Sequence, residues 1–256
     1  MKHKSILLTL ITFSLLFTFC FSMYQSISFK KNSKEITNVY TEIRNSINDT
    51  KEQSSTWSFS HDSWNHLKEQ NNDFVGYIQF DNELIEFPVV QGMDNDYYLN
   101  HGFISIDGNN YSGQGTPFLD VSNSLDDMNL VIYGHNVYYD DSAMFTPLTK
   151  LIHQENYDNN HTIHLFLENE VRTYEIAFVY YFDVNLFGIY DYQQRNFYSS
   201  EEFTEWLRIP YEENLIRPIN IPLEFGDNLL TLQTCKTWDD DYRLLVVCVE
   251  TNRENY

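Results

Sequence analysis

From Phe74 onward the apolar residues come in short runs, and turn signals separate one run from the next. The runs read FVGYIQF at 74–80, IEFPVV at 85–90, TPFL at 116–119, LVIY at 130–133, IHLFL at 163–167, a long stretch over 171–182, LLTL at 229–232 and YRLLVVCV at 242–249. Most are too short for a helix that could bury a core, and β-branched and aromatic residues fill most of them. Residues 168–170, Glu-Asn-Glu, read as the turn of a hairpin. About eight short strands in sequence predict a closed or sandwiched all-β domain. Two helical insertions interrupt it. Residues 143–152 form the first. Residues 199–215 form the second, with Ser199 or Ser200 as cap, Glu201, Glu202 and Glu205 near its start, and Phe203, Trp206 and Leu207 on its apolar face. Pro210 is placed to kink or end that helix.

The first 73 residues have another texture. No charged residue occurs between Ser5 and Phe29, and 6–24 reads ILLTLITFSLLFTFCFSMY. As a helix this run spans about 28 Å, close to the thickness of a bilayer's hydrocarbon core. The leading expectation is an uncleaved signal-anchor. A cleaved signal peptide and a buried soluble helix are the alternatives, with Ser26-Ile-Ser28 the weak small-x-small candidate for cleavage. Lysines flank both ends, so the positive-inside bias selects no orientation. Over 30–56, Ile36, Val39, Tyr40, Ile43 and Ile47 recur at three- and four-residue spacing, which predicts a helix. A second short helix follows Ser60, with Trp64 and Leu67 on one face. The expected organisation is 1–28 cytoplasmic tip and anchor, 29–72 helical arm, and 73–256 β-barrel.

Charge narrows the function. Sixteen Lys and Arg stand against 37 Asp and Glu, a net charge of -21. A general nucleic-acid binder needs the opposite sign. Three cysteines cannot make a disulfide framework.

Three residues carry candidate chemistry. Cys235 ends an apolar strand in TLQTC and leads into a polar loop, where a thiol is both held and exposed. A buried inert cysteine is the bland alternative. His135 ends another apolar strand in LVIYGHN. Arg243 begins the last strand, beside a run so apolar that its charge needs a partner. Taken singly, His135 and Arg243 are also compatible with surface residues. Cys248 has opposite parity to Arg243 along the same strand and reads as a core residue. His161 and His164 fall on opposite faces of a strand, so no metal site is expected from them.

Together these motifs resemble the class B sortases. TLQTC fits the sortase cysteine signature, the eight-residue step to Arg243 is typical of the family, and IYGHN fits its histidine motif. FVGYI, FPVVQGMDNDYYLNH (87–101), TPFLD and IYGHNVYYDDSAMF follow in the family's order. The resemblance covers roughly residues 30–256. It implies an eight-stranded sortase-type β-barrel with an N-terminal helical arm and a helix inserted before the cysteine strand. It further implies a cysteine transpeptidase without metal or organic cofactor, in which Cys235, His135 and Arg243 are catalytic and Asn95, Leu99 and Thr234 line the substrate groove. The implied partners are surface proteins bearing a C-terminal sorting signal, a peptidoglycan precursor or stem-peptide amine, and the membrane through the N-terminal helix. The implied location is the cell membrane, single-pass, with the catalytic domain outside. Alternatives are a pilin-polymerising sortase, a hydrolase using the same site, and a silent module that only binds the signal. Two departures stand out. Asp239-Asp-Asp241 lies between Cys235 and Arg243, where carboxylates favour a protonated imidazole. Gly113-Gln-Gly115 is richer in glycine than the family pattern suggests.

Overall fold

The computed structural model describes residues 2–51, 59–106, 109–137, 140–218, 222–236 and 239–255. The end of the expected arm helix (52–56) and Tyr138–Tyr139 of the histidine motif lie outside them. The chain divides into two compact units, Met1–Thr41 and Glu42–Tyr256.

One continuous helix, α1, runs over Lys2–Lys51. Of its predicted apolar face, Ile36, Tyr40, Ile43 and Ile47 are buried. The described side chains of the apolar run, residues 11–24, are exposed. Among the described residues no helix is long and apolar enough to cross a membrane. This corrects the expected single-pass membrane location, the membrane partnership through the N-terminal helix, and the extracellular placement that rested on them.

In the second unit, α2 (His61–Gln70) starts where its cap predicts: the Ser60 side chain accepts from the Ser63 backbone N–H, and Trp64 and Leu67 are buried. The strands are β1 (Phe74–Phe80), β2 (Glu86–Val90), β3 (His101–Ile106), β4 (Asn109–Tyr111), β5 (Phe118–Leu119), β6 (Asn129–Tyr133), β7 (Thr162–Phe166), β8 (Glu170–Asp183), β9 (Leu229–Lys236) and β10 (Asp239–Asn255). Eight of them close a barrel in the order β1-β2-β5-β6-β9-β10-β8-β7, while β3 and β4 form a separate two-stranded sheet. The fold is mainly β, an eight-stranded closed barrel with appended helices, as the run pattern predicts. Closure leaves the barrel no unpaired edge. Its strands are mixed: β6 pairs with β9 in parallel, and β9 pairs with β10 antiparallel. The β3–β4 hairpin is the element the sequence reading lacked, since HGFISI carries only a weak alternation.

The short helical insertion expected over 143–152 is a 3-10 element that begins later. A 3-10 turn covers Thr146–Ile152, and α3 follows at Gln154–Asn159. Pro147 near the turn's start fits a segment that begins with fixed φ and does not extend. The longer insertion is α4 (Ser200–Glu213), capped by the Ser199 side chain, which accepts from the Glu202 N–H. Pro210 lies inside it, and the helix continues to Glu213. Phe203, Trp206 and Leu207 are buried as predicted. Phe197 meets both Phe203 and Trp206 edge-on, and the Trp206 indole donates to the Asp191 carbonyl. The helix thereby pins the 190–197 segment, which the Asn129 carboxamide also holds by donating to the Tyr192 and Gln194 carbonyls.

Candidate active site

Cys235 and Arg243 are direct partners across the β9–β10 pair. Partners across an antiparallel pair project to the same face, so thiol and guanidinium share a side of the sheet. Both are half-buried. Thr234, one residue earlier, pairs with Leu244, faces the other way and is fully buried. Cys248 is fully buried, and burial pushes its thiol well up.

His135 enters from the other neighbour of β9. The parallel β6–β9 ladder runs to Tyr133 opposite Gln233, and the Gly134 N–H then donates to the Gln233 carbonyl at 3.0 Å. His135 therefore stands two residues past Tyr133, as Cys235 stands two past Gln233. The Asn136 Nδ2 donates to the Cys235 carbonyl oxygen at 2.8 Å. On its far side the same loop is tied to residues 144–146: Phe145 N–H donates to the His135 carbonyl (3.1 Å), Asn136 bridges Met144, and Val137 N–H donates to Thr146 Oγ1 (2.7 Å). From 131 to 137 only His135 is not buried. Glycine at 134 has a steric reason, because a Cβ there would overlap the Phe145 ring.

Burial holds the His135 imidazole below its ordinary pKa. The expectation that the acidic tract would favour the protonated ring is corrected here. Asp239 instead pairs with Lys236 (Nζ–Oδ2 3.0 Å), whose ammonium also lies over the Tyr242 and Tyr181 rings. Asp239 is locally neutralised by Lys236, and desolvation sets the direction at His135.

Three of the predicted residues, Asn95, Leu99 and Thr234, sit differently from the Cys–His–Arg group. Asn95 spends its carboxamide on the chain: Nδ2 donates to Asp120 Oδ2 (2.8 Å), and Oδ1 accepts from Val121 N–H (2.8 Å). Leu99 ends a 3-10 turn, Tyr97–Leu99, and is half-buried. The glycine-rich stretch explains itself at that point. Gly113 and Gly115 have φ of 68° and 71°, and a Cβ on Gly115 would meet the Tyr98 and Leu99 carbonyl oxygens.

Two groups beside the site were not foreseen. Asp120 is buried and accepts from Asn95 Nδ2, from Tyr133 Oη at 2.7 Å, and from the Ser122 N–H at 2.7 Å. It couples the Asn95 turn to the strand that leads to His135. Tyr192 is buried near Arg243, Asp120 and Cys235, and burial, above all, raises its hydroxyl pKa. The Asp in TPFLD was a visible signal for the first, whereas nothing in the sequence near Tyr192 marks it.

No family model matches the chain. Individual relatives do. The crystal structure of Clostridium perfringens sortase B is 31% identical, with TM-score 0.66, covering 74% of this chain and 100% of that one. The chain belongs to the class B sortases. Sortase B of Listeria monocytogenes is 27% identical over 212 residues, 80% of this chain and 72% of that protein. A Staphylococcus aureus sortase B–substrate complex shares the fold with TM-score 0.72 at 21% identity, covering 86% of this chain and 97% of that one. The chain is accordingly a sortase transpeptidase, a cysteine enzyme. The acyl-transfer chemistry of the class needs a nucleophile, a proton-transfer group and a stabiliser of negative charge. Thiol, imidazole and guanidinium are the three groups that β9, the end of β6 and β10 bring to one end of adjacent strands.

Proposed function

We propose that this sortase cleaves a C-terminal sorting signal after threonine, through a thioacyl-enzyme on Cys235, and transfers the surface protein to an amine of a peptidoglycan precursor or stem peptide. The observation that carries the reading is the pairing of Arg243 with Cys235 on a strand whose other neighbour delivers His135.

In this reading the Cys235 thiolate forms a bond to the threonyl carbonyl carbon. The oxyanion gains the Arg243 guanidinium, which remains charged at any working pH. Collapse breaks the C–N bond, and the His135 imidazolium gives its proton to the departing amine. The acceptor amine then attacks the thioester, neutral His135 takes its proton, and the thiolate leaves. Burial of His135 makes its imidazolium the stronger acid for the first transfer, while reducing the fraction that carries the proton at neutral pH. Asn95 and Leu99 shape the groove through the backbone of their turn, since the Asn95 carboxamide is bound to Asp120 and Val121. Thr234 contributes from the strand interior, as packing beneath the nucleophile.

The same site permits hydrolysis when water replaces the amine. A threonine-containing signal peptide incubated with and without an amine acceptor separates the two activities. Amide product and faster turnover with amine support transfer. Carboxylate product alone, unchanged by amine, would make the enzyme a hydrolase.

A further inference from the structure

The ladder that joins the histidine strand to the cysteine strand stops before it reaches either residue. The last β6–β9 pair is Tyr133 with Gln233, and the Gly134 N–H makes one more bond to the Gln233 carbonyl. Past that point the backbone of 135–137 turns to the 144–146 segment. The His135 carbonyl and the Val137 N–H are thereby bonded to that segment. A side chain makes a rung from this loop to Cys235: Asn136 Nδ2 donates to the Cys235 carbonyl at 2.8 Å.

We propose that Asn136 is a positioning residue, which sets where the Cys235 thiol stands relative to the His135 imidazole. The inference rests on Cys235 and His135 being the reacting pair. Asn136 is 8% exposed, so the bond is shielded from competing water. Its backbone is anchored through the bridge to Met144, and its chain neighbours are anchored through Phe145 and Thr146. One end of the rung is therefore rigid, and the bond transmits that rigidity to the residue bearing the nucleophile. Proton transfer and nucleophilic attack on a carbonyl are sensitive to such placement: a displacement of about 1 Å can lower a rate about 100-fold. Asn suits the task because it supplies a neutral N–H donor of fixed reach. Aspartate has the same shape, offers no N–H, and would set a carboxylate against a carbonyl oxygen.

The test compares the parent with Asn136→Asp and Asn136→Ala in two measurements. One is kcat and KM for a threonine-containing signal peptide. The other is the pH profile of Cys235 alkylation by iodoacetamide, read by mass, with the fold checked by circular dichroism. Both variants are expected to lose kcat by roughly 10- to 100-fold, with KM changed less than about twofold. Both are also expected to move the alkylation profile toward that of His135→Ala. Should Asn136→Ala fold poorly, the isosteric Asp variant carries the comparison. A parental kcat and a parental alkylation profile in the folded Asp variant would overturn the role of Asn136. A loss of melting temperature alone, with parental kcat per folded molecule, would overturn it as well. Persistent cleavage by Cys235→Ala would instead remove the nucleophile assignment beneath it, so the two failures are distinct.

Discussion

Arg243 stands directly opposite Cys235 across the β9–β10 pair. Directly opposed residues hold their Cβ atoms about 4.5–5.5 Å apart, so the thiol and the arginine side chain leave the same face of the pair. The register of one antiparallel pair thus couples the proposed nucleophile and the proposed charge stabiliser. A slip of one residue would put them on opposite faces.

Arg243→Ala should lower kcat by about 10²–10³, the usual size of one oxyanion donor. Arg243→Lys should recover only part of that loss, because an ammonium keeps the charge without the planar fork. Steady-state kinetics on a signal peptide decides this. Full activity in the Lys variant would reduce the role of Arg243 to net charge.

Gly134→Ala should destabilise the barrel by about 1–3 kcal/mol, the range of overpacking, and depress activity with it. The cause is local, since the new methyl would occupy the space of the Phe145 ring. Denaturant melts of Gly134→Ala, Phe145→Leu and the double variant check it. The double variant should be more stable than the sum of the single losses predicts. Strict additivity would mean that the two sites do not contend for space.

His135 in Cys235→Ala should titrate below the ~6.5 of an unperturbed imidazole, as followed by NMR. Removing the thiol isolates burial, which is what holds the ring neutral. The folded value lies below the unfolded one, so between the two the unfolded chain binds more protons and stability rises with pH. Relative to His135→Gln, the protein should therefore lose stability as pH falls below about 6.5 toward the folded value. A titration above the ordinary value would reverse both signs, and one at that value would remove the pH dependence.

Arg44 on α1 and Glu86 on β2 form an ion pair, Nε–Oε2 3.0 Å, with the Glu86 side chain fully buried. Gln79 Nε2 donates to the other Glu86 oxygen at 3.0 Å. Arg44→Met should cost about 3–5 kcal/mol in a chemical melt, since it leaves a buried carboxylate without its cation. Glu86→Gln added to Arg44→Met should restore much of that loss. Equal stability of the parent and Arg44→Met would show that the pair is already screened by water.

The barrel was legible because its strands are nearly pure apolar runs with turn residues between them, and each run from 74–80 to 242–249 became a strand. The β3–β4 pair was not, because HGFISI carries only a weak alternation and NNY is short and polar. The 143–152 segment was legible as a short helical insertion, but its 3-10 form and its start at Thr146 were not. Cys235, His135 and Arg243 stood out as chemically expensive residues at strand ends. Asn95 was read as a groove residue by resemblance, and its bond to Asp120 spans 25 positions and has no local signal. The same holds for Asn136, whose partner is 99 residues away. The apolar run 6–24 is the case where composition outran structure, since the described residues contain no helix long and apolar enough to span a bilayer.

The central claim is that Cys235 carries the acyl group. Mass analysis of the enzyme quenched during turnover of a threonine-containing signal peptide tests it most directly. The predicted result is an adduct on the Cys235 peptide that ends in the threonyl residue, disappears when an amine acceptor is added, and is absent in Cys235→Ala together with all cleavage. Cleavage that persists in Cys235→Ala, or turnover with the adduct on another residue, would contradict it.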